Sequence, residues 1–142
     1  MKRLMVLIMA AVMAISAIAC TTGNKSDAID FGKPAIGTVR VIYFHGSHRC
    51  TTCRTIEALT MEVAKSSFEN EQKSGGLRFE SIDLDTPEGE KLAGRYEVAW
   101  SSLLIVKNDM VVNLTDMAFS KAKNKPEEFK ENLKSEIRKI LE

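Results

Sequence analysis

The chain has 142 residues, 44% of them hydrophobic and 27% charged, with a formal net charge of +1 at pH 7 and only 6% aromatic residues. Such a composition supports one packed domain, and the absence of a basic stripe with interleaved aromatics excludes nucleic acid as an expected partner. There are three cysteines and no internal repeat, so the chemistry falls to a few positions.

At the N-terminus, Lys2 and Arg3 precede an apolar run from Leu4 to Ala19 in which Ser16 is the polar exception. The run is shorter than the roughly 20 residues a helix needs to cross a bilayer, and it has the layout of a bacterial export signal over 1–19. The small residues Ala17 and Ala19 suit a signal peptidase, and Cys20 directly after them resembles the lipobox of bacterial lipoproteins. That resemblance implies diacylglycerol on Cys20, a membrane partner through the lipid and a place in the bacterial cell envelope. Ala17 and Ile18 depart from the commonest lipobox, and plain secretion and an uncleaved anchor are the alternatives. The polar stretch 20–33 reads as a flexible tether, which as a random coil would span on the order of 20 Å. The segment 34–142 is the folded domain. With Cys20 taken by lipid, Cys50 and Cys53 are the only thiols left. An exported chain that keeps one close pair uses it rather than stapling its fold with it.

The next apolar run, Val39 to Phe44, is continuous enough for a strand buried on both faces. Cys50-Thr51-Thr52-Cys53 follows it and precedes a helical pattern. Two cysteines three apart at a helix start lie on one face, so their sulfurs close a small ring with little backbone movement, and the unpaired amides and positive dipole end stabilise a thiolate there. Arg49 and His48 add positive charge beside Cys50, whose thiol would otherwise have a pKa of roughly 8.5. Cys50 is therefore the candidate nucleophile and Cys53, one turn deeper, the resolving thiol. A structural bridge or two inert cysteines is the plainer alternative. The sharper one is a soft-metal site in which His45, His48, Cys50 and Cys53 hold copper or zinc. Extended backbone would send the two histidines to opposite sides unless Gly46-Ser47 turns the chain.

Beyond Cys53, Ile56, Leu59 and Val63 recur at helical spacing between Glu57, Glu62 and Lys65, which predicts an amphipathic helix to about Glu71, broken by Gly75-Gly76. Leu77 to Leu84 returns as a strand. Thr86 as cap, Pro87 at the first position and the early acids Glu88 and Glu90 start a short helix ending near Tyr96. Ser102 to Val106 and Met110 to Leu114 form a hairpin across Lys107-Asn108-Asp109. The lysines of 121–125 read as a solvated loop, after which Pro126 opens a helix with Phe129, Leu133, Ile137 and Ile140 or Leu141 as its core stripe.

A dithiol where the first strand meets the first helix, followed by Ile82-Asp83-Leu84-Asp85, Tyr96-Glu97-Val98 and Leu103-Leu104-Ile105-Val106-Lys107-Asn108, resembles the thioredoxin-like superfamily over about 37–141. The fold so implied is α/β, a central four-stranded mixed sheet flanked by three helices in the order β-α-β-α-β-β-α. The implied activity is thiol-disulfide exchange with a protein partner through a mixed disulfide, Cys50 attacking and Cys53 resolving, with the redox-active disulfide as the only cofactor. A looser resemblance is to thioredoxin-like lipoproteins named as a subunit of a nitrophenyl-compound reductase, whose substrate is not carried over.

Three departures from that family bear on activity. Prolines occur only at 34, 87 and 126, so the cis-proline opposite the dithiol is replaced by Ala99-Trp100-Ser101-Ser102, with a trans bond at Trp100-Ser101 expected. Trp100 and Ser101 would then line the groove beside the sulfurs. Phe44, six before Cys50, stands where the family has a buried acid. Thr51-Thr52 replaces Gly-Pro between the cysteines. These differences leave three readings: redox exchange, soft-metal binding or delivery, and a non-catalytic adaptor of thioredoxin shape.

Overall fold

The computed structural model describes residues 36–142. The expected signal 1–19, the lipid site at Cys20 and the tether 20–33 lie outside the described residues, as do the first two residues of the expected domain. Among the described residues no helix is long and apolar enough to cross a membrane.

Strand β1 (Val39–His45) is buried along its whole length, as its mostly apolar run leads one to expect. It lies between β2 (Leu77–Asp83), with which it is parallel, and β3 (Ser102–Lys107), with which it is antiparallel. The hairpin partner β4 (Met110–Asn113) closes a four-stranded mixed sheet in the order β2-β1-β3-β4. Asn108 turns the hairpin with φ 55°, a left-handed angle that asparagine tolerates better than most residues.

Helix α1 (Thr51–Ser67) follows β1 and packs Cys53, Ile56, Val63 and Ala64 onto the sheet face formed by Val39, Val41, Tyr43, Leu103 and Ile105. Phe129, Leu133, Ile137 and Ile140 of α5 (Pro126–Leu141) complete that core, so the apolar stripe of the last helix is interior. On the opposite face, Ile42 pairs with Leu104 and Phe44 with Ile82, and the Tyr96 ring lies 6.3 Å from that of Phe44. Helix α3 (Pro87–Arg95) starts as its sequence directs: Thr86 Oγ1 accepts a hydrogen bond from the Gly89 amide at 3.1 Å, and Pro87 occupies the first turn. Gly89 is needed at its position because a Cβ would stand 1.9 Å from the Asp83 carbonyl oxygen.

The expected sheet and the order of its elements are present, with two helical segments added. The first expected helix, taken to run to Glu71, ends at Ser67. Phe68 leaves helical geometry and buries its ring in the core, and α2 (Glu69–Ser74) restarts beyond it, closed by Gly75 at φ 78°. The second addition is α4 (Thr115–Lys121), which reaches into the stretch expected to be a solvated loop. Its buried face is Ala118, with Ala122 just past its end, and two alanines make a weak periodic signal. Lys121 is ion-paired with Glu128 rather than left to solvent.

One charged pair is buried in the sheet. Arg40 is 7% exposed and holds Glu80 by a two-pronged contact, Nε to Oε1 at 2.9 Å and Nη2 to Oε2 at 2.5 Å, and it donates from Nη1 to the Tyr96 hydroxyl at 3.0 Å. The Glu80 carboxylate and Tyr96 raise the guanidinium pKa against the opposing effect of burial. Removing one partner of such a pair strands the other in a water-poor site. Glu80→Ala is therefore expected to lower unfolding free energy by about 3–5 kcal/mol in chemical denaturation. A loss below about 1 kcal/mol would show that water reaches the guanidinium.

Candidate functional site

The end of β1 and the start of α1 set the site. His45 closes the strand, its carbonyl accepting from the Leu84 amide at 2.7 Å, and Ser47 is pinned by Asp85 Oδ2 at its amide (2.7 Å) and by Asp83 Oδ2 at its hydroxyl (2.9 Å). The chain thus reaches Cys50 over a fixed turn. Cys50 has extended backbone angles and is the N-cap of α1, its sulfur accepting from the Cys53 amide at 3.4 Å. Both cysteines are free thiols with sulfurs 3.2 Å apart, Cys50 exposed and Cys53 8% exposed. Closing a bond of roughly 2.05 Å needs a movement of only about 1 Å.

The electrostatics follow from the cap. The Cys53 amide holds the Cys50 thiol below its ordinary range and the Cys53 side chain adds to the effect; desolvation opposes them, and the amides of Thr52 and Cys50 make lesser contributions in the same direction as Cys53. Thr52 supplies an N–H that a proline at this position would lack. Arg49, expected to lend its charge to Cys50, is committed to a salt bridge with Glu57, whose other oxygen accepts from Ser81 Oγ at 2.5 Å. His48 is exposed in the turn, and Thr51 is exposed at the first helical position with its carbonyl accepting from Thr55 Oγ1 at 3.0 Å.

A groove of about 410 Å³ opens beside the buried sulfur, lined by Cys53, Trp100, Ser101, Thr115, Asp116 and Phe119. Trp100 is 71% exposed, so its indole stands in solvent rather than in the core. Ser101 Oγ is 4.0 Å from the Cys53 sulfur, and Ser102 turns away to donate to the Trp100 carbonyl at 2.9 Å. The described residues contain no cis peptide bond, so Trp100-Ser101 is trans. Trp100 and Ser101 are thus brought to the dithiol, as their sequence position suggested.

Among the described residues the histidines do not join the thiols in a metal site. His45 is buried, its Nδ1 3.1 Å from the Gly46 carbonyl, and among the described residues no group of three or more His, Cys, Asp or Glu side chains is placed to hold a metal ion. The structure also changes which strand residue faces the thiols. Phe44 lies on the opposite sheet face against Tyr96, and Tyr43 shares the core with Cys53. Counting back six residues from Cys50 misses this because the turn from Gly46 to Arg49 sets the offset; the period of two along β1 carries the signal. Thr115, Asp116 and Phe119 were missed because they belong to α4.

No family model and no curated protein matches the chain. Among solved structures it is similar to the germline-specific thioredoxin Deadhead of Drosophila melanogaster, at 19% identity and a TM-score of 0.40 over 54% of this chain and 65% of that one. A thioredoxin of Thermus thermophilus matches at 25% identity and a TM-score of 0.34, over 55% of this chain and 59% of that one. A thioredoxin of Fasciola hepatica matches at 22% and 0.34, over 54% and 65%. The chain thus spans less than two thirds of each of these thioredoxins. The fold itself is α/β, a four-stranded mixed sheet with a parallel β1–β2 pair and an antiparallel β3–β4 hairpin, as the thioredoxin-like resemblance of the sequence led one to expect, and the dithiol sits at the β1–α1 junction.

A depressed Cys50 pKa has two measurable consequences. In the reduced protein, alkylation of Cys50 should show a pH midpoint below roughly 8.5, with Cys53 reacting far more slowly. Since the folded value lies below the unfolded one, the thiolate stabilises the reduced fold fully above the unfolded value, and that gain is lost as pH falls through the folded value. A midpoint at or above the free-cysteine value, with no rise in melting temperature across that window, would contradict the capping geometry.

Proposed function

We propose that the protein is a membrane-tethered thiol-disulfide oxidoreductase that exchanges electrons with a protein partner through Cys50 and Cys53. The observation that carries this reading is the asymmetry of the pair: one exposed sulfur of lowered pKa and, 3.2 Å away, one shielded sulfur whose residue lines a groove. In the reducing direction, the Cys50 thiolate attacks one sulfur of a partner disulfide, forming a mixed disulfide and releasing one partner thiolate, which takes up a proton. Cys53 loses its proton to water at the groove and attacks the Cys50 sulfur. The intramolecular bond forms, the mixed bond breaks, and the second partner thiolate is protonated. Two electrons pass to the partner, and the reverse sequence oxidises a partner dithiol. No cofactor beyond the sulfurs enters. Exposed Trp100 with Phe119 gives the partner apolar contact beside the reacting bond.

The tether is part of the same proposal: lipid on Cys20 would hold the domain at an envelope membrane, where oxidising conditions make a lone dithiol useful. Two tests address the two halves. The wild-type pair should titrate reversibly between dithiol and disulfide within the roughly −270 to −120 mV range of catalytic dithiols, and Cys53→Ala should trap a mixed disulfide that Cys50→Ala does not form. A pair that resists common reductants, or that binds stoichiometric zinc or Cu(I) when reduced and releases it on alkylation, would replace exchange by the adaptor or the metal reading. For the tether, Cys20→Ser should abolish lipid labelling and move the protein to the soluble fraction. Unchanged labelling would refute lipidation at that residue.

A further inference from the structure

Tyr43 is fully buried in β1, in the same core as Cys53. Its hydroxyl has no hydrogen-bond partner among the described residues, and after burial itself Cys53 is the side chain that acts on it most strongly. An orphaned phenol in a core carries a desolvation cost that a phenylalanine would avoid. Something in the working cycle should therefore repay the oxygen, and the group it faces is the sulfur that must become negative.

We infer that Tyr43 is the hydrogen-bond donor that stabilises the Cys53 thiolate as it resolves the mixed disulfide, a role that rests on the exchange reaction proposed above. The neighbourhood otherwise opposes that charge. The charges of Glu57 on α1 and of the Cys50 cap also bear on the phenol, with Arg49 committed to Glu57, and Asp116 of α4 lines the groove with Cys53. His45, two residues along β1, has its ring centroid 5.9 Å from that of Tyr43 and its Nδ1 against the Gly46 carbonyl. The hydroxyls next to Cys53 are thus the Tyr43 phenol in the core and that of Ser101 at the groove, which accepts from the resting Cys53 thiol at 4.0 Å. Burial, aided by the nearby sulfurs and Glu57, raises the Tyr43 pKa well above its ordinary value, so the phenol keeps its proton throughout the range of thiol chemistry. It acts as a donor and never as the base. The Cys53 proton goes to water at the groove, and the O–H hydrogen bond shortens onto the sulfur as charge develops. When the Cys50–Cys53 bond closes, the charge is gone and the hydroxyl is orphaned again. The donor therefore favours the transient thiolate over both resting forms.

The test uses the reduced protein and dithiobisnitrobenzoate, a symmetric disulfide whose leaving thiolate is coloured. The first thiolate appears as Cys50 forms the mixed disulfide and the second as Cys53 resolves it. In Tyr43→Phe the first release should keep its rate, while the second slows roughly tenfold or more below its pH midpoint, with that midpoint moved upward, and melting temperature should be equal to or above that of the wild type. A second release with unchanged rate and midpoint would overturn the inference while leaving the exchange reading intact. Loss of cooperative melting would overturn it too, making the hydroxyl a structural group. If the wild-type protein releases no thiolate at all, the exchange reading fails and takes this one with it.

Discussion

The structure depends on β1 being buried on both faces. A strand flanked by β2 and β3, with α1 and α5 on one side and α3 on the other, has no freedom to slide, because a slip of one residue would turn Val39, Val41 and Tyr43 away from their core. That rigidity passes along the chain through the pinned turn at Ser47 to Cys50, where the helix takes over. The separation of the sulfurs is then a property of a helix start welded to a sheet, not of a loop, and a reacting pair gains from such preorganisation. The same registry brings Ser101, at the foot of β3, beside Cys53.

Much of this was legible in the sequence where local chemistry and burial agree. Val39–Phe44 is apolar but for Arg40, Thr86-Pro87 is a cap and a first turn, and Phe129, Leu133 and Ile137 fall on one stripe; each became the expected element. The Cys50/Cys53 spacing likewise placed both sulfurs on one helical face. What stayed hidden was decided by tertiary packing. Nothing in the sequence between Ser67 and Glu69 breaks a helix, and the break exists because Phe68 finds a place in the core. Helix α4 offers the interior one alanine, with a second just past its end, and so the groove wall it builds was invisible. The partner of Arg49 was hidden as well, since only the folded chain shows that Glu57, one turn past Cys53, claims the guanidinium first.

The two polar clusters of the domain play opposite parts. Arg40 and Glu80 satisfy each other fully, with Tyr96 completing the guanidinium, so this buried charge specifies geometry and is chemically quiet. Around Cys53 the polar groups are incompletely matched: a phenol without a partner, a serine at long distance and a carboxylate on the groove wall. Mismatch of this kind marks places where charge appears during function rather than at rest.

The use of main-chain amides, in place of Arg49, to hold the Cys50 sulfur has a consequence for the conditions the protein tolerates. Attraction between exposed side-chain charges fades over a Debye length of roughly 8 Å at physiological ionic strength, whereas an amide in direct contact with sulfur leaves no room for intervening ions. The acidity of the Cys50 thiol is thus insulated from the saltiness of its surroundings, and its reactivity holds steady while the ionic strength of the medium changes.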